Sequence, residues 1–190
     1  MRELSKANIR RYSDPRFAER WFRGEALDIG SGDDPLDVGM FPKLTYVRNY
    51  DKIDGDALTL DGVADESFDV VHSSHCLEHL TDTAQALNNW IRVCKSGGHL
   101  IITVPDEDLY EQGAWPSTFN TDHKFTFTIG KQSSWSPVSV NVLGLLGMFT
   151  DRVRVLKVEL LDAAFDYNKP RQDQTLGESE SGIEIVLEKL

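Results

Sequence analysis

Acids and imidazoles gather at a few places in this chain, and their spacing limits the chemistry they could share. Asp28-Ile29-Gly30-Ser31-Gly32-Asp33-Asp34-Pro35 puts one acid before a glycine pair and two after it. Glycine lets a backbone turn sharply and approach a ligand with no Cβ in the way. Asp51 lies 23 residues beyond Asp28. At the tip of a second strand, its two acceptor oxygens suit the diol of a ribose, a role for which Asp54 competes. His75, Glu78 and His79 then fall within five residues, and His123 follows. Imidazoles titrate near neutral pH and also ligate metals, so proton transfer and metal binding are both open to this set.

These side chains need elements to hold them. Ala26–Ile29 reads as a short buried strand, and Pro35 fits the first turn of a helix. Strand, glycine turn and helix start make the nucleotide-binding corner of a doubly wound sheet. A dinucleotide fingerprint would have a third glycine where Pro35 stands, and Asp33 and Asp34 would repel a pyrophosphate. The twin acids suit a ligand with a positive end, which counts against a nucleotide-dependent oxidoreductase.

The other elements follow in order. Residues 1–24 read as one or two short helices, with Ser13-Asp14-Pro15 as a start signal. Pro35 to Lys43 leaves room for a short helix. Leu44–Tyr50 has the β-branched and aromatic content of a strand, and Phe68–Val71 reads as another. Leu80, Ala84, Leu87, Ile91 and Cys94 form one face of a helix that Ser96-Gly97-Gly98 stops. His99–Val104 is a buried strand. Residues 106–137 are aromatic and aperiodic, and a loop this long is usually functional or partly disordered. Val138 to Met148 suits a helix, while Val153–Leu160 and Gly182–Leu187 suit strands around a polar loop at 168–181.

Asp28-Ile29-Gly30-Ser31-Gly32, Phe68-Asp69-Val70-Val71 and Leu77-Glu78-His79, in this order, resemble the class I S-adenosylmethionine-dependent methyltransferases, type 11-like. The resemblance covers residues 26–105 well and the ends in outline. It implies an α/β fold: a doubly wound seven-stranded sheet, order 3-2-1-4-5-7-6 with strand 7 antiparallel and helices on both faces. It implies S-adenosylmethionine as cofactor, leaving S-adenosylhomocysteine. Asp28, Gly30, Ser31, Gly32, Asp51, Asp56, Ala57 and Ser74 would contact it, with Asp56 and the Ala57 N–H on adenine. Residues 1–24 would be a lid and 106–137 the substrate cover, within one domain spanning 1–190.

The totals set further bounds. The chain has 190 residues, 40% hydrophobic and 27% charged, with net charge −11. Residues 1–24 carry seven Arg/Lys against three Asp/Glu, which leaves 13 against 28 in the rest. An acidic body argues against nucleic acid as the main partner. The basic start, with Arg2, Lys6, Arg10 and Arg11, lacks the apolar stretch of a secretory signal. No apolar run is long enough to span a membrane. Cys76 and Cys94 read as reduced core residues, and the expected location is cytoplasmic.

His75, just beyond the fourth strand of that order, is the leading candidate base, and His123 beside Asp122 is the second. The expected acceptor is a small molecule or a sugar-type hydroxyl, since the short first helix and the Asp-His-Lys-Phe-Thr-Phe-Thr phrase at 122–128 resemble relatives encoded with glycan-building enzymes. His75-x-x-Glu78-His79 with His123 also resembles the Glu-x-x-Glu-His plus distant His of metal-dependent small-RNA 2′-O-methyltransferases, with His75 in place of the first Glu. Glu-His occurs here in metal-free relatives too, and no metal is expected. A non-catalytic cofactor-binding or partner subunit is the competing reading. The oligomeric state is not legible.

Overall fold

The computed structural model describes residues 3–190; Met1 and Arg2 of the expected lid lie outside them. The chain opens with α1 (Glu3–Tyr12), whose first turn carries Glu3 and whose last carries Arg10 and Arg11. Those charges complement the helix dipole. A π-helical turn, Arg16–Trp21, follows. The strands are β1 (Gly24–Ile29), β2 (Leu44–Tyr50), β3 (Phe68–Ser74) and β4 (Cys94–Pro105), then β5 (Thr126–Thr128), β6 (Ser139–Asn141), β7 (Val153–Leu161) and β8 (Gly182–Lys189). A single 3₁₀ turn at Leu77–His79 and helix α2 (Thr83–Val93) lie between β3 and β4, and α3 (Val142–Gly147) follows β6.

The main sheet has the order β2-β1-β3-β4-β8-β7. β1 pairs in parallel with β2 and β3, β3 with β4 likewise, and β8 runs antiparallel to both β4 and β7. This is the expected order with its third strand missing, so the sheet has six strands and β2 is its edge. The segment beyond β2 turns instead of extending: Thr59 and Leu60 donate N–H to the Asp56 carbonyl, and Leu60 has φ +49°. Asp, Gly and Ala at 54–57 are weak strand formers, which explains the loss.

Alternation along the strands sends side chains to two cores. Ala26, Val70 and Ile101 pack under α1 and the π turn with Leu4, Ala7, Phe17, Trp21 and Phe22. Leu27, Ile29, Val71 and Ile102 meet Leu87, Trp90 and Ile91 of α2 and Leu145 and Leu146 of α3. Helices therefore cover both faces. Asp82 caps α2 by accepting from Gln85 N–H at 2.9 Å, and Trp90 Nε1 ties the helix to the Ala57 carbonyl at 2.8 Å.

Three local expectations need correction. Pro35 to Lys43 forms turns and no helix, because the Asp28 carboxylate takes the Leu36 N–H and Asp37 takes that of Gly39. Ser96-Gly97-Gly98 lies inside β4, in the irregular stretch between Cys94↔Phe68 and His99↔Val70; the helix has already ended at Val93. Only Val142–Gly147 of the expected 138–148 helix is helical, since Ser139–Asn141 pairs with Thr126–Thr128. Among the described residues no helix is long and apolar enough to cross a membrane.

Candidate active site

Beyond the carboxyl ends of β1, β2 and β3 lie two adjoining chambers. The larger, about 580 Å³, is lined by Gly30, Gly32, Tyr50, Asp51, Asp56 and Ala57 on one side. Its other side carries His75, Cys76, His79, Leu80, Asp122 and Lys124. The smaller, about 290 Å³, is lined by Glu3, Leu4, Asp28, Gly30, Ser31, Asp33, Asp34, Ser74 and His75. Gly30 and His75 belong to both walls, so the two spaces meet at these residues.

Backbone conformation explains the glycine pair. Gly30 has φ +72°, and a Cβ there would come within 2.7 Å of Cys76 Cβ and Sγ. Gly32 has φ +49°, and a Cβ there would meet nothing within 4 Å. One glycine is required by packing and the other keeps a cleft wall bare.

The acids form a structured rim. Asp51 Oδ2 accepts the Gly32 N–H at 2.9 Å and Oδ1 accepts the Lys52 N–H at 2.7 Å, which pins the end of β2 to the glycine turn. Asp54 is exposed, accepts the Asp51 N–H at 2.9 Å and does not line the cleft. Asp56 accepts from Leu58 N–H at 2.8 Å through one oxygen, beside Ala57. Asp34 is bound by the N–H and hydroxyl of Ser5, at 3.0 and 2.6 Å, so α1 is fastened to the turn. Asp28 is buried. Its Oδ2 accepts from Leu36 N–H and its Oδ1 lies 2.6 Å from His72 Nδ1, so this carboxylate holds the turn in shape.

Acids around the smaller chamber and paired acceptors at the rim of the larger fit a ligand with a cationic end joined to a ribose and a base. A diol would find acceptors at Asp51, an exocyclic amino group at Asp56, and an ammonium at the smaller chamber lined by Glu3 and Asp33. This donor set suits S-adenosylmethionine.

The imidazoles behave differently from one another. His75, at φ +53°, has Nδ1 3.4 Å from Glu78 Oε1 and Nε2 3.9 Å from Glu3 Oε2. Burial pulls its pKa down, but Glu78 and Glu3 outweigh that and hold it above the ordinary histidine value. Glu78 is fully buried. Burial pushes its pKa up, and His75, His79 and His123 more than reverse this, holding it below the ordinary glutamate value. His123 does not line the cleft. It is buried behind His79, with ring centroids 5.0 Å apart and Nδ1 2.8 Å from Glu111 Oε1.

Several lining residues escaped the sequence reading: Glu3 and Leu4 from α1, Tyr50, and Leu80 beyond the 3₁₀ turn. Lys124 was visible only as the neighbour of His123. Glu111, twelve residues from its histidine in an aperiodic loop, left no signal. His72 left one: a histidine amid the apolar residues of a buried strand needs a partner.

Residues 39–102 match a family model described as a methyltransferase domain. A search of curated proteins finds no significant match. Among solved structures, the chain is similar to a SAM-dependent methyltransferase from Archaeoglobus fulgidus, at 20% identity and TM-score 0.56, over 100% of this chain and 95% of that one. It is also similar to the N-methyltransferase NodS from Bradyrhizobium japonicum in complex with S-adenosyl-L-homocysteine, at 13% identity and TM-score 0.55, over 98% and 86%. A third likeness is to the YcgJ protein from Bacillus subtilis, at 12% identity and TM-score 0.54, over 98% and 97%. At such identities the solved structures speak for the fold, and the matched domain speaks for the activity. With the cleft's donor set beside them, the matched methyltransferase domain and the shared fold support a class I S-adenosylmethionine-dependent methyltransferase.

Proposed function

We propose that this enzyme methylates a hydroxyl of a small molecule or sugar, with His75 accepting the hydroxyl proton. The observation that carries this reading is the place of His75 in the wall shared by the two chambers, between the rim for adenosine and the acidic pocket for the amino-acid end. A group there stands next to the sulfonium. S-adenosylmethionine supplies a methyl group already activated for displacement.

The chain's own residues then have three tasks. Asp51, Asp56 and the Gly30–Gly32 turn hold the cofactor, so that the acceptor meets it in a fixed line. Glu78 faces His75 Nδ1 at 3.4 Å, which leaves Nε2, 3.9 Å from Glu3 Oε2, as the nitrogen to take the proton. His75 Nε2 takes the hydroxyl proton while the acceptor oxygen bonds to the methyl carbon; the carbon–sulfur bond breaks and its electron pair stays on sulfur. The α1 helix, through Glu3 and Leu4, acts as the lid, and the 106–137 segment, through Asp122 and Lys124, covers the acceptor side of a single domain.

The test is methyl transfer from labelled S-adenosylmethionine to a panel of hydroxyl-bearing small molecules and sugars, with the product's methylated atom assigned by NMR. An O-methyl product is expected. Transfer to nitrogen alone would overturn the hydroxyl assignment. Binding of S-adenosylhomocysteine with no transfer to any acceptor class would favour a partner subunit.

A further inference from the structure

Behind the cleft wall stands a cluster that the orienting of His75 explains only at one of its members, Glu78. Glu78, His79 and His123 each offer one ligand atom, and these atoms lie within 4.8 Å of one another. Glu78 is sealed from solvent, and neither carboxylate oxygen has a hydrogen bond. A buried carboxylate whose two oxygens find no hydrogen bond calls for a partner. The nearest imidazole nitrogens, on His75 and His79, are 3.4 and 3.9 Å from Oε1.

The two histidines of the cluster are each held from behind by an acid. His79 Nδ1 is 3.1 Å from Asp122 Oδ2, and His123 Nδ1 is 2.8 Å from Glu111 Oε1. That leaves Nε2 of each ring as the free ligand atom. An imidazole oriented by a carboxylate on its other nitrogen is the usual outer arrangement of a histidine metal ligand. The two contributing segments are also fastened together: Lys124 N–H and Phe125 N–H both donate to the Glu78 carbonyl, at 2.8 and 3.3 Å. Lys124 Nζ donates to the His79 carbonyl.

We propose that Glu78, His79 and His123 bind one divalent transition-metal ion, supported by Asp122 and Glu111. This departs from the expectation of no metal. Two imidazoles and one carboxylate suit zinc, or cobalt, iron or manganese, better than magnesium, whose preferred ligands are all oxygen. Three protein ligands leave a position open. His79 lines the cleft beside His75, so the ion stands at the wall of the acceptor space, where it would polarise an acceptor oxygen. That last role rests on the methyltransferase reading; the ion-binding site does not.

The experiment is elemental analysis of the dialysed full-length enzyme, followed by titration of chelator-stripped protein with cobalt(II) and zinc. About one equivalent of metal per chain is expected, with visible cobalt absorption bands typical of nitrogen and oxygen ligation. Glu78→Gln and His123→Ala should weaken cobalt binding more than roughly 100-fold, and Glu111→Gln roughly 10- to 100-fold. Circular dichroism and binding of S-adenosylhomocysteine confirm that each variant is folded. Failure of the wild-type protein to retain zinc or cobalt while still binding S-adenosylhomocysteine would overturn the site and leave the methyltransferase reading intact. Cobalt binding undiminished in folded Glu78→Gln and His123→Ala would also overturn it. Metal bound by a protein with no affinity for S-adenosylhomocysteine would uphold the site and sink the cofactor assignment instead.

Discussion

Asp28 and His72 face each other across β1 and β3, sealed from solvent, with Oδ1 and Nδ1 2.6 Å apart. Arg11 of α1 brings Nη1 to 3.1 Å from His72 Nε2. A guanidinium can only donate, so Nε2 accepts and Nδ1 carries the hydrogen that goes to Asp28. The same arginine donates to Glu184 Oε1 at 2.8 Å and Thr103 Oγ1 at 3.0 Å. A continuous buried chain thus joins α1, the last strand and the acid beneath the glycine turn. Arg11→Met should lower unfolding stability by about 3 kcal/mol, the low end for breaking a buried ion pair, because Arg10 and Lys157 still reach Glu184. Urea unfolding at neutral pH checks this; a loss under about 1 kcal/mol would mean the chain is an idle consequence of packing.

Glu184 itself sets an acid limit. Burial pushes its pKa up, but Arg11, Arg10 and Lys157 drive it well below the usual glutamate range. A carboxyl depressed on folding adds stability above its unfolded value, near 4.5, and loses that contribution as pH falls toward the folded value. At about 1.4 kcal/mol per pH unit, this group alone should cost the wild type about 2 kcal/mol between pH 5 and pH 3. Glu184→Gln should be less stable at pH 7, and the gap between the two proteins should shrink over that interval. Parallel stability–pH curves in urea would refute the assignment.

The strands were the most legible part of this molecule, because their own residues carry the pattern. Leu44–Tyr50 has the same limits in sequence and structure, being bounded by turn residues and rich in Thr, Tyr and Val. The third strand was expected from family resemblance alone, and the Asp-Gly-Asp turn at 54–56 leaves it no extended residues. Asp51, a cleft-lining residue, could be located because strand tips can be read along the chain, while Asp56 and Ala57 beside it came from the family resemblance. The links from Asp28 to His72 and from Glu111 to His123 could not be read, since both depend on register or on the path of an aperiodic loop.

Asp51 fastens the turn and, on the proposed function, also holds the ligand, and substitutions can separate the two. Asp51→Asn keeps one acceptor oxygen for the Gly32 N–H, whereas Asp51→Ala keeps none. For S-adenosylhomocysteine, calorimetry should show affinity falling by roughly 10- to 100-fold in the alanine variant and less in the asparagine one, since charge-assisted bonds to a diol are worth about 1.5–3 kcal/mol. Asp54→Ala should change affinity much less, because its side chain faces the backbone of the turn. Equal losses at 51 and 54 would show that the loop's shape alone determines binding.

His75 provides the sharpest separation of binding from chemistry. It stands where the chambers meet, with its Nδ1 toward the carboxylate of Glu78. Replacing it should therefore spare the cofactor's affinity and slow the transfer step. His75→Ala should bind S-adenosylhomocysteine within about threefold of wild type, by calorimetry, while kcat drops roughly 100- to 10,000-fold, the usual worth of a positioned general base. Loss of S-adenosylhomocysteine affinity with kcat unchanged would make His75 part of the cofactor wall. Full activity in the variant would place proton removal elsewhere, with the acceptor ionised before it meets the methyl group or held by another residue of the cleft.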